Sequence, residues 1–475
     1  MGNIANSDLP VSVSALHFPS TEQLSVSQTL ASLRRSALSV TNRLRSIEAD
    51  AAFVREVADH YGLPLVANER CGSWYIPPDV KSGSAYFKST DGHTGQWDFS
   101  FRRLNLQILP IARQHGGCII VDSTRRGKLM PDALSKTIPI WCAVFNRALF
   151  PSETAYHSVE LPPNYLGASE ESQIEQRIDG FVHSLKSLKL DLDDLKQQLG
   201  KPIRIAWANR TYFYPTDLSK GEAYNLFVLC SASKRVHGAE ISEGGYIQGA
   251  GDDSEAWAHG LTPAVFWAHK STLLTRAEED LPEVIAGLMQ ENRKQGSGQQ
   301  ATLIAPSQNL YVSPTDPSLA GNGLYDLVID CNSNAATTEE NPKRLNLGCI
   351  SSKQGGRDLR NHLDKVRDFV NLHLGSNPSQ SLLVMCESGK DLSAGTLLTI
   401  ICLFYNDAGK LNRHQYFSKP NLAIVGEFVG PRTQTMSKQF IRQRLAWIVS
   451  SKHDVNPSRS TLQSVNAFLM QRPDY

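Results

Sequence analysis

The chain has 475 residues, 41% of them hydrophobic and 20% charged, with a formal net charge of +1 at pH 7. That length buries a sizeable core and favours two or three domains. No apolar run reaches the roughly 18 residues of a membrane span, and no basic segment followed by an apolar stretch opens the chain, so neither a membrane protein nor a secretory signal is expected. Charge is segregated: residues 81–136 carry nine Lys or Arg against four Asp, and residues 431–459 carry six against one, a net +5 in each. The remainder is therefore near −9. Such segregation suits a basic face that meets polyphosphate, and equally suits solvated charged faces with no partner. The eight cysteines include no Cys-x-x-Cys pair and none near His at zinc-finger spacing, so reduced thiols are expected and a structural zinc site is not.

Residues 1–24 read as a polar tail. Met1 to Asn6 approach a myristoylation signal, but Asn6 stands where Ser or Thr is wanted. Ser25 to His60 reads as helical, with Leu44, Ile47, Val54 and Val57 near helical spacing and a stop at Gly62-Leu63-Pro64. Cys71 to Ser100 reads as loops and short strands. Cys118 to Val121 is a buried strand that leads through Asp122-Ser123-Thr124-Arg125-Arg126-Gly127-Lys128 into a helix from Ala133 to Phe150, the grammar of α/β folds. A block from Pro202 to Leu288 holds the strand Leu226 to Leu229 and the loop Gln248-Gly249-Ala250-Gly251-Asp252-Asp253. Residues 293–300 have linker composition, dividing the chain into an N-terminal α/β domain, 25–292, and a C-terminal domain, 301–475.

In the second domain, strands are expected at Leu310 to Val312, Leu327 to Asp330 and Leu382 to Met385. Leu359, Leu363, Val366 and Val370 mark an amphipathic helix. The last strand enters Cys386-Glu387-Ser388-Gly389-Lys390-Asp391-Leu392-Ser393, and an apolar helix follows from Ala394 to Tyr405. Two more helices carry Ile441, Leu445 and Ile448, then Leu462, Val465 and Phe468, the latter with Asn456-Pro457 as cap and first turn.

A glycine-containing turn between a buried strand and a helix N-terminus aims backbone N–H groups at one point, where the helix dipole favours an anion. On spacing alone, the Cys386 turn is as compatible with a packed structural loop. Arg125, Arg126 and Lys128 make the Asp122 turn a second candidate for gripping phosphate or RNA, or a basic surface turn. Lys88, Arg102, Arg103 and Arg459 are candidate RNA contacts; Arg102-Arg103 beside Trp97 and Phe99 could equally be ordinary surface and core. Asp252 and Asp253 are candidate magnesium ligands, or turn formers between glycines.

From Ala301 to Phe468 the order of elements resembles a dual-specificity phosphatase domain, with a central sheet flanked by helices. Cys386, Gly389 and Ser393 match that family's signature, but Leu392 replaces its arginine, and Gly348 to Gly356 lacks its general-acid Asp. Phosphate-ester hydrolysis should then be badly impaired, while the fold and the anion loop are kept. Over nearly its whole length the chain is similar to the fungal and plant tRNA 2′-O-ribosylphosphate transferases. The resemblance rests on Trp97 to Ser100, Gly117 to Thr137, Gln248 to Asp253, Cys386 to Gly395 and Asn456 to Asn466. It implies transfer from phosphoribosyl pyrophosphate to the 2′-hydroxyl at position 64 of initiator tRNA, with release of pyrophosphate and a magnesium requirement; the unpaired cysteines point to a cytosolic or nuclear protein, taken as cytoplasmic, and no obligate protein partner is inferred. On this reading the Cys386 loop takes the 5-phosphate, and Asp391 orients a sugar hydroxyl or accepts the proton. The competing readings are a degenerate phosphatase-like hydrolase and a non-catalytic RNA- or phosphate-binding protein.

Overall fold

In the computed structural model, residues 38–211, 223–236, 245–295, 300–316, 319, 323–332, 341–350, 354–411 and 436–470 are described. The expected tail and the first part of the expected helix, 25–37, lie outside them, as do 296–299 of the expected linker. Each half of the chain is built around its own five-stranded sheet.

The first sheet contains β1 (Leu65–Asn68), β2 (Lys81–Ala85), β3 (Gly117–Asp122), β4 (Ile203–Ala208) and β5 (Asn225–Ser231). Its order is β2-β1-β3-β5-β4, and every pairing is parallel. All six residues of β3 are buried. A central parallel strand is covered on both faces, which is why Cys118 to Val121 reads as an unbroken apolar run. A Cβ at Gly117, whose φ is 146°, would collide with the backbone of Leu226 on β5. The helix Val40–Tyr61 is capped by Ser39, whose hydroxyl accepts the Asn42 N–H, and stops at Gly62 in the left-handed conformation. Leu44, Ile47, Val54 and Val57 are buried along its inner face, as their spacing requires.

The second sheet contains β6 (Thr302–Leu303), β7 (Leu310–Pro314), β8 (Leu327–Asn332), β9 (Arg344–Cys349) and β10 (Leu382–Cys386). Its order is β6-β7-β10-β8-β9, with β10 central and parallel to both neighbours and β6 antiparallel at the edge. The helix Leu392–Phe404 is buried along its entire length, packed between the sheet and the helices Gly355–Ser376, Lys438–Ser451 and Arg459–Leu469. Gly356 allows the first of these to approach the last: a Cβ there would lie 2.7 Å from Ser460 Oγ.

Two expectations shift in register. Ser458, not Asn456, caps the last helix, because its hydroxyl accepts the Thr461 N–H. The helix Leu281–Gln295 runs three residues into the segment read as linker. The halves are in direct contact: Gln443 donates to the Ser187 carbonyl at 2.7 Å, Arg102 to the Pro457 carbonyl at 3.2 Å, and the Arg442 guanidinium lies 5.1 Å from the Phe101 ring centroid. Among the described residues, no helix is long and apolar enough to cross a membrane.

Candidate functional site

In an open α/β sheet, ligands collect beyond the carboxyl ends of the central strands. The Cys386 loop occupies that place in the second sheet and the Asp122 loop in the first. Their chemistry differs.

The Cys386 loop turns through Gly389, at φ 65°, where a Cβ would lie 2.5 Å from the Pro314 nitrogen. The Cys386 thiol is buried and lies 3.1 Å from the Ser393 hydroxyl. Leu392, only 5% exposed, puts an apolar side chain where the phosphatase signature needs a guanidinium. The loop is a less open cradle than its sequence predicts. The Glu387 N–H donates to Asn332 Oδ1 at 2.8 Å, the Gly389 N–H to the Cys386 carbonyl at 2.9 Å, and the Lys390 N–H to the Ser388 hydroxyl at 3.2 Å. What the loop offers an anion is therefore the first turn of the Leu392–Phe404 helix and the cations at its mouth. Lys390 and Lys452 reach the Asp454 carboxylate at 3.3 and 2.7 Å. Partial burial works against ionisation there, yet the two ammonium groups hold the Asp454 carboxyl below its ordinary value.

Asp391, expected from sequence to orient a sugar hydroxyl or accept the proton, uses one carboxylate oxygen to hold the chain. Its Oδ1 accepts the Ser458 N–H at 2.8 Å, while the Asn456 N–H donates to the Lys390 carbonyl at 3.0 Å. Asp391 ties the Asn456–Ser458 segment to the loop.

The Asp122 loop is organised by Arg70, a residue that sequence reasoning missed. Asp122, fully buried, accepts from Arg70 Nη2 at 2.9 Å, Asn68 Nδ2 at 2.8 Å, the Cys71 thiol at 3.0 Å and the Ser123 N–H at 2.7 Å. Arg70 Nη1 reaches Asp252 at 3.1 Å, and the Ser123 hydroxyl donates to Asp252 at 2.9 Å. Burial pushes the Asp252 carboxyl up, against the charge of Arg70, and pushes the Cys71 thiol well up. Arg125 pairs with Asp253 and lies 3.5 Å from Asp252.

Three expectations change here. Asp122 is an internal anchor. Arg125 is held by carboxylates. Asp252 and Asp253 face guanidinium groups, whose charge opposes a divalent cation, so the pair is not a magnesium cage. No cluster of three or more His, Cys, Asp or Glu able to hold a metal occurs among the described residues. The Gln248–Asp253 loop instead packs onto the Asp122 loop. Gln248 Oε1 accepts the Gly127 and Val236 N–H groups, both at 3.0 Å, its amide donates to the Lys128 carbonyl at 2.8 Å, and Thr124 exchanges backbone bonds with the Ser233 hydroxyl. Arg126 and Lys128 remain exposed at the tip.

Between the two halves lies a cleft of about 670 Å³. Lys81, Tyr86, Arg103, Asn105 and Gln107 line one wall, and Lys390 with His453 to Asn456 lines the other. A second cavity, about 440 Å³, opens at the mouth of the Cys386 loop beside Pro314, Glu387, Ser388 and Lys452. Lys390 and Asp454 line both, and no residue of Asp122 to Lys128 lines either. Arg103, read from sequence as either an RNA contact or ordinary surface and core, is only 8% exposed. Its guanidinium lies 4.9 Å from the Tyr86 ring centroid and 3.6 Å from Asp91. Trp97 and Phe99 are core residues. Arg102 bridges the halves, Lys88 is half-buried, and Arg459 is exposed.

Comparison with known proteins accounts for both halves. A family model described as the Rit1 N-terminal domain matches residues 33–290, and one described as the Rit1 DUSP-like domain matches residues 343–469. The tRNA A64-2′-O-ribosylphosphate transferase of Saccharomyces cerevisiae is 31% identical, across 94% of this chain and 95% of that protein. An uncharacterised protein of Schizosaccharomyces pombe is 37% identical, across 90% of this chain and 94% of its own length. Among solved structures, the Yvh1 phosphatase domain from Chaetomium thermophilum is 15% identical, with a TM-score of 0.25, over 36% of this chain and 95% of that one. The PTP-2 phosphatase of Cydia pomonella is 13% identical, with a TM-score of 0.24, over 35% and 89%. The chain belongs to the Rit1 family and carries both its N-terminal domain and its DUSP-like domain.

Proposed function

We propose that this protein transfers the 5-phosphoribosyl group of phosphoribosyl pyrophosphate to the 2′-hydroxyl of adenosine 64 in the T-stem of initiator tRNA. In that reaction the bond between C1 of the donor ribose and pyrophosphate breaks, and a bond from C1 to the tRNA 2′-oxygen forms. Pyrophosphate leaves with the bonding electron pair, and the hydroxyl proton is released. The observation that carries the reading is end-to-end similarity to a transferase of that name, together with Leu392 at the position where phosphatase chemistry requires arginine. An anion loop without the guanidinium supports holding a phosphate more than hydrolysing its ester.

The 5-phosphate sits at the Cys386 loop, where the helix N-terminus, Lys390 and Lys452 converge. No protein nucleophile is required, because pyrophosphate leaves readily and positioning with charge stabilisation suffices. Magnesium accompanies the pyrophosphate of the donor as part of the substrate. The acceptor lies in an A-form stem, which proteins recognise through its shape, phosphates and 2′-hydroxyls. Exposed Arg126, Lys128 and Arg459 support the backbone-contacting role. The reduced thiols and a tRNA substrate support a cytoplasmic setting.

Calorimetry with phosphoribosyl pyrophosphate tests donor and site together. The wild type should bind, and Lys390→Ala should bind about tenfold more weakly or worse, as loss of a charge-assisted contact implies. Unchanged affinity would move the donor away from this loop, and no binding by the wild type would remove it as the donor.

A further inference from the structure

Phosphoribosyl pyrophosphate carries phosphoryl groups on both sides of its ribose, so its site needs two anion-binding regions about one sugar apart. The two cavities adjoin, since Lys390 and Asp454 line both. We infer that the interdomain cleft binds the pyrophosphate end of the donor, with Arg103 as its buried cationic anchor, so that the donor bridges the two domains. This rests on the placement of the 5-phosphate at the Cys386 loop.

The cleft is built for an anionic, hydroxylated ligand. Arg103 is more than nine-tenths buried, and its Nε is buried without a hydrogen-bond partner. Its contacts to Asp91 and Ser100 are long, at 3.6 and 3.5 Å. A buried guanidinium so loosely paired gains strongly from an anion that accepts its remaining donors. Gln107 donates its amide to the Ser84 carbonyl at 2.8 Å. Its Oε1 is buried without a donor, in a residue that lines the cleft. Lys81 and Lys390 add charge from opposite walls. The acidic side chains of the cleft are already held by lysines: Glu69 by Lys81 at 3.3 Å, and Asp454 by Lys390 and Lys452. The Asn456–Lys390 bond braces one wall, and the Arg102–Pro457 bond ties the two halves together beside the cleft.

The volume suits a small phosphorylated metabolite. The consequence is that neither domain alone holds the whole donor. The Asp122 loop, whose arginines serve internal carboxylates or face outward, is left to structure and to RNA.

Calorimetry on the full chain with two probes, inorganic pyrophosphate and ribose 5-phosphate, separates the ends. Arg103→Gln should weaken pyrophosphate binding about tenfold or more and leave ribose 5-phosphate within about twofold, with partial recovery in Arg103→Lys. Lys452→Ala should do the reverse. Melting curves check folding, and Lys81→Ala on the cleft rim repeats the pyrophosphate arm without touching the buried pair. Unchanged pyrophosphate affinity in folded Arg103→Gln, or in Lys81→Ala should the former not fold, overturns the cleft assignment. Unchanged ribose 5-phosphate affinity in Lys452→Ala overturns the placement of the 5-phosphate instead.

Discussion

Replacing Arg70 by Met tests whether the Asp122 loop is held by buried charge. Arg70 contacts Asp122 at 2.9 Å and Asp252 at 3.1 Å, and those carboxylates are 0% and 3% exposed. Methionine roughly fills the stem of the side chain but leaves both acids without their shared cation. Breaking a buried pair by removing one partner costs about 3–5 kcal/mol. Asp122 keeps the Asn68 amide, the Cys71 thiol and the Ser123 N–H, and Arg125 lies 3.5 Å from Asp252. Those contacts place the expected loss near the lower end, at about 3 kcal/mol. Urea unfolding followed by tryptophan emission reads it directly, because Trp74 packs beside this network. The double variant Arg70→Met/Asp252→Asn should recover part of the loss, since one of the stranded charges is gone. A loss below about 1 kcal/mol, typical of exposed pairs, would refute the view that this network is an internal clamp.

Cys386→Ser nearly conserves size and keeps a hydroxyl against Ser393, so it should retain measurable transfer; a ribosyl adduct trapped on Cys386 would contradict this. Arg126→Gln/Lys128→Gln should weaken tRNA binding and flatten the slope of log affinity against log salt by about 1–2 units; an unchanged slope would take these residues off the RNA surface. Burial pushes the Asp50 carboxyl up to about 8, against the Tyr246 hydrogen bond and the Arg210 charge. A folded-state value raised above the unfolded one means that Asp50 stabilises fully in acid, and that this contribution falls as pH rises from about 4 to 8, by up to about 1.4 kcal/mol per unit. Asp50→Asn should lack that fall in urea titrations across the window, and parallel pH profiles for the two proteins would contradict it.

What the sequence disclosed follows from burial. β3 and β10 are covered on both faces, so their apolar runs were legible, and the turns after them followed from the glycines. The half-exposed strand Arg344–Cys349, with its mixed residues, carries no such run and was not seen. Arg70 follows β1, just before the stretch Cys71 to Ser100 that reads as loops and short strands, and its importance depends on β1 lying beside β3, which only strand order reveals. For the pair Arg102-Arg103 the sequence leaves open an RNA contact or ordinary surface and core. In the structure the first bridges the domains and the second is buried against Tyr86, a distinction set by tertiary packing. The same holds for Asp252-Asp253, whose glycine setting left metal ligand and turn former open until Arg70 and Arg125 were found beside them. The interdomain cleft was illegible because its walls are more than 280 residues apart in sequence, from Lys81–Gln107 to Lys390–Asn456.

The most direct test is transfer itself. The purified protein is incubated with ribose-labelled phosphoribosyl pyrophosphate and magnesium, with initiator or elongator tRNA as acceptor, and the tRNA is digested to locate the label. The account predicts label on initiator tRNA at adenosine 64, release of pyrophosphate in equal amount, and little or no label on elongator tRNA. Label-free initiator tRNA in the presence of a folded protein that binds both substrates would contradict it.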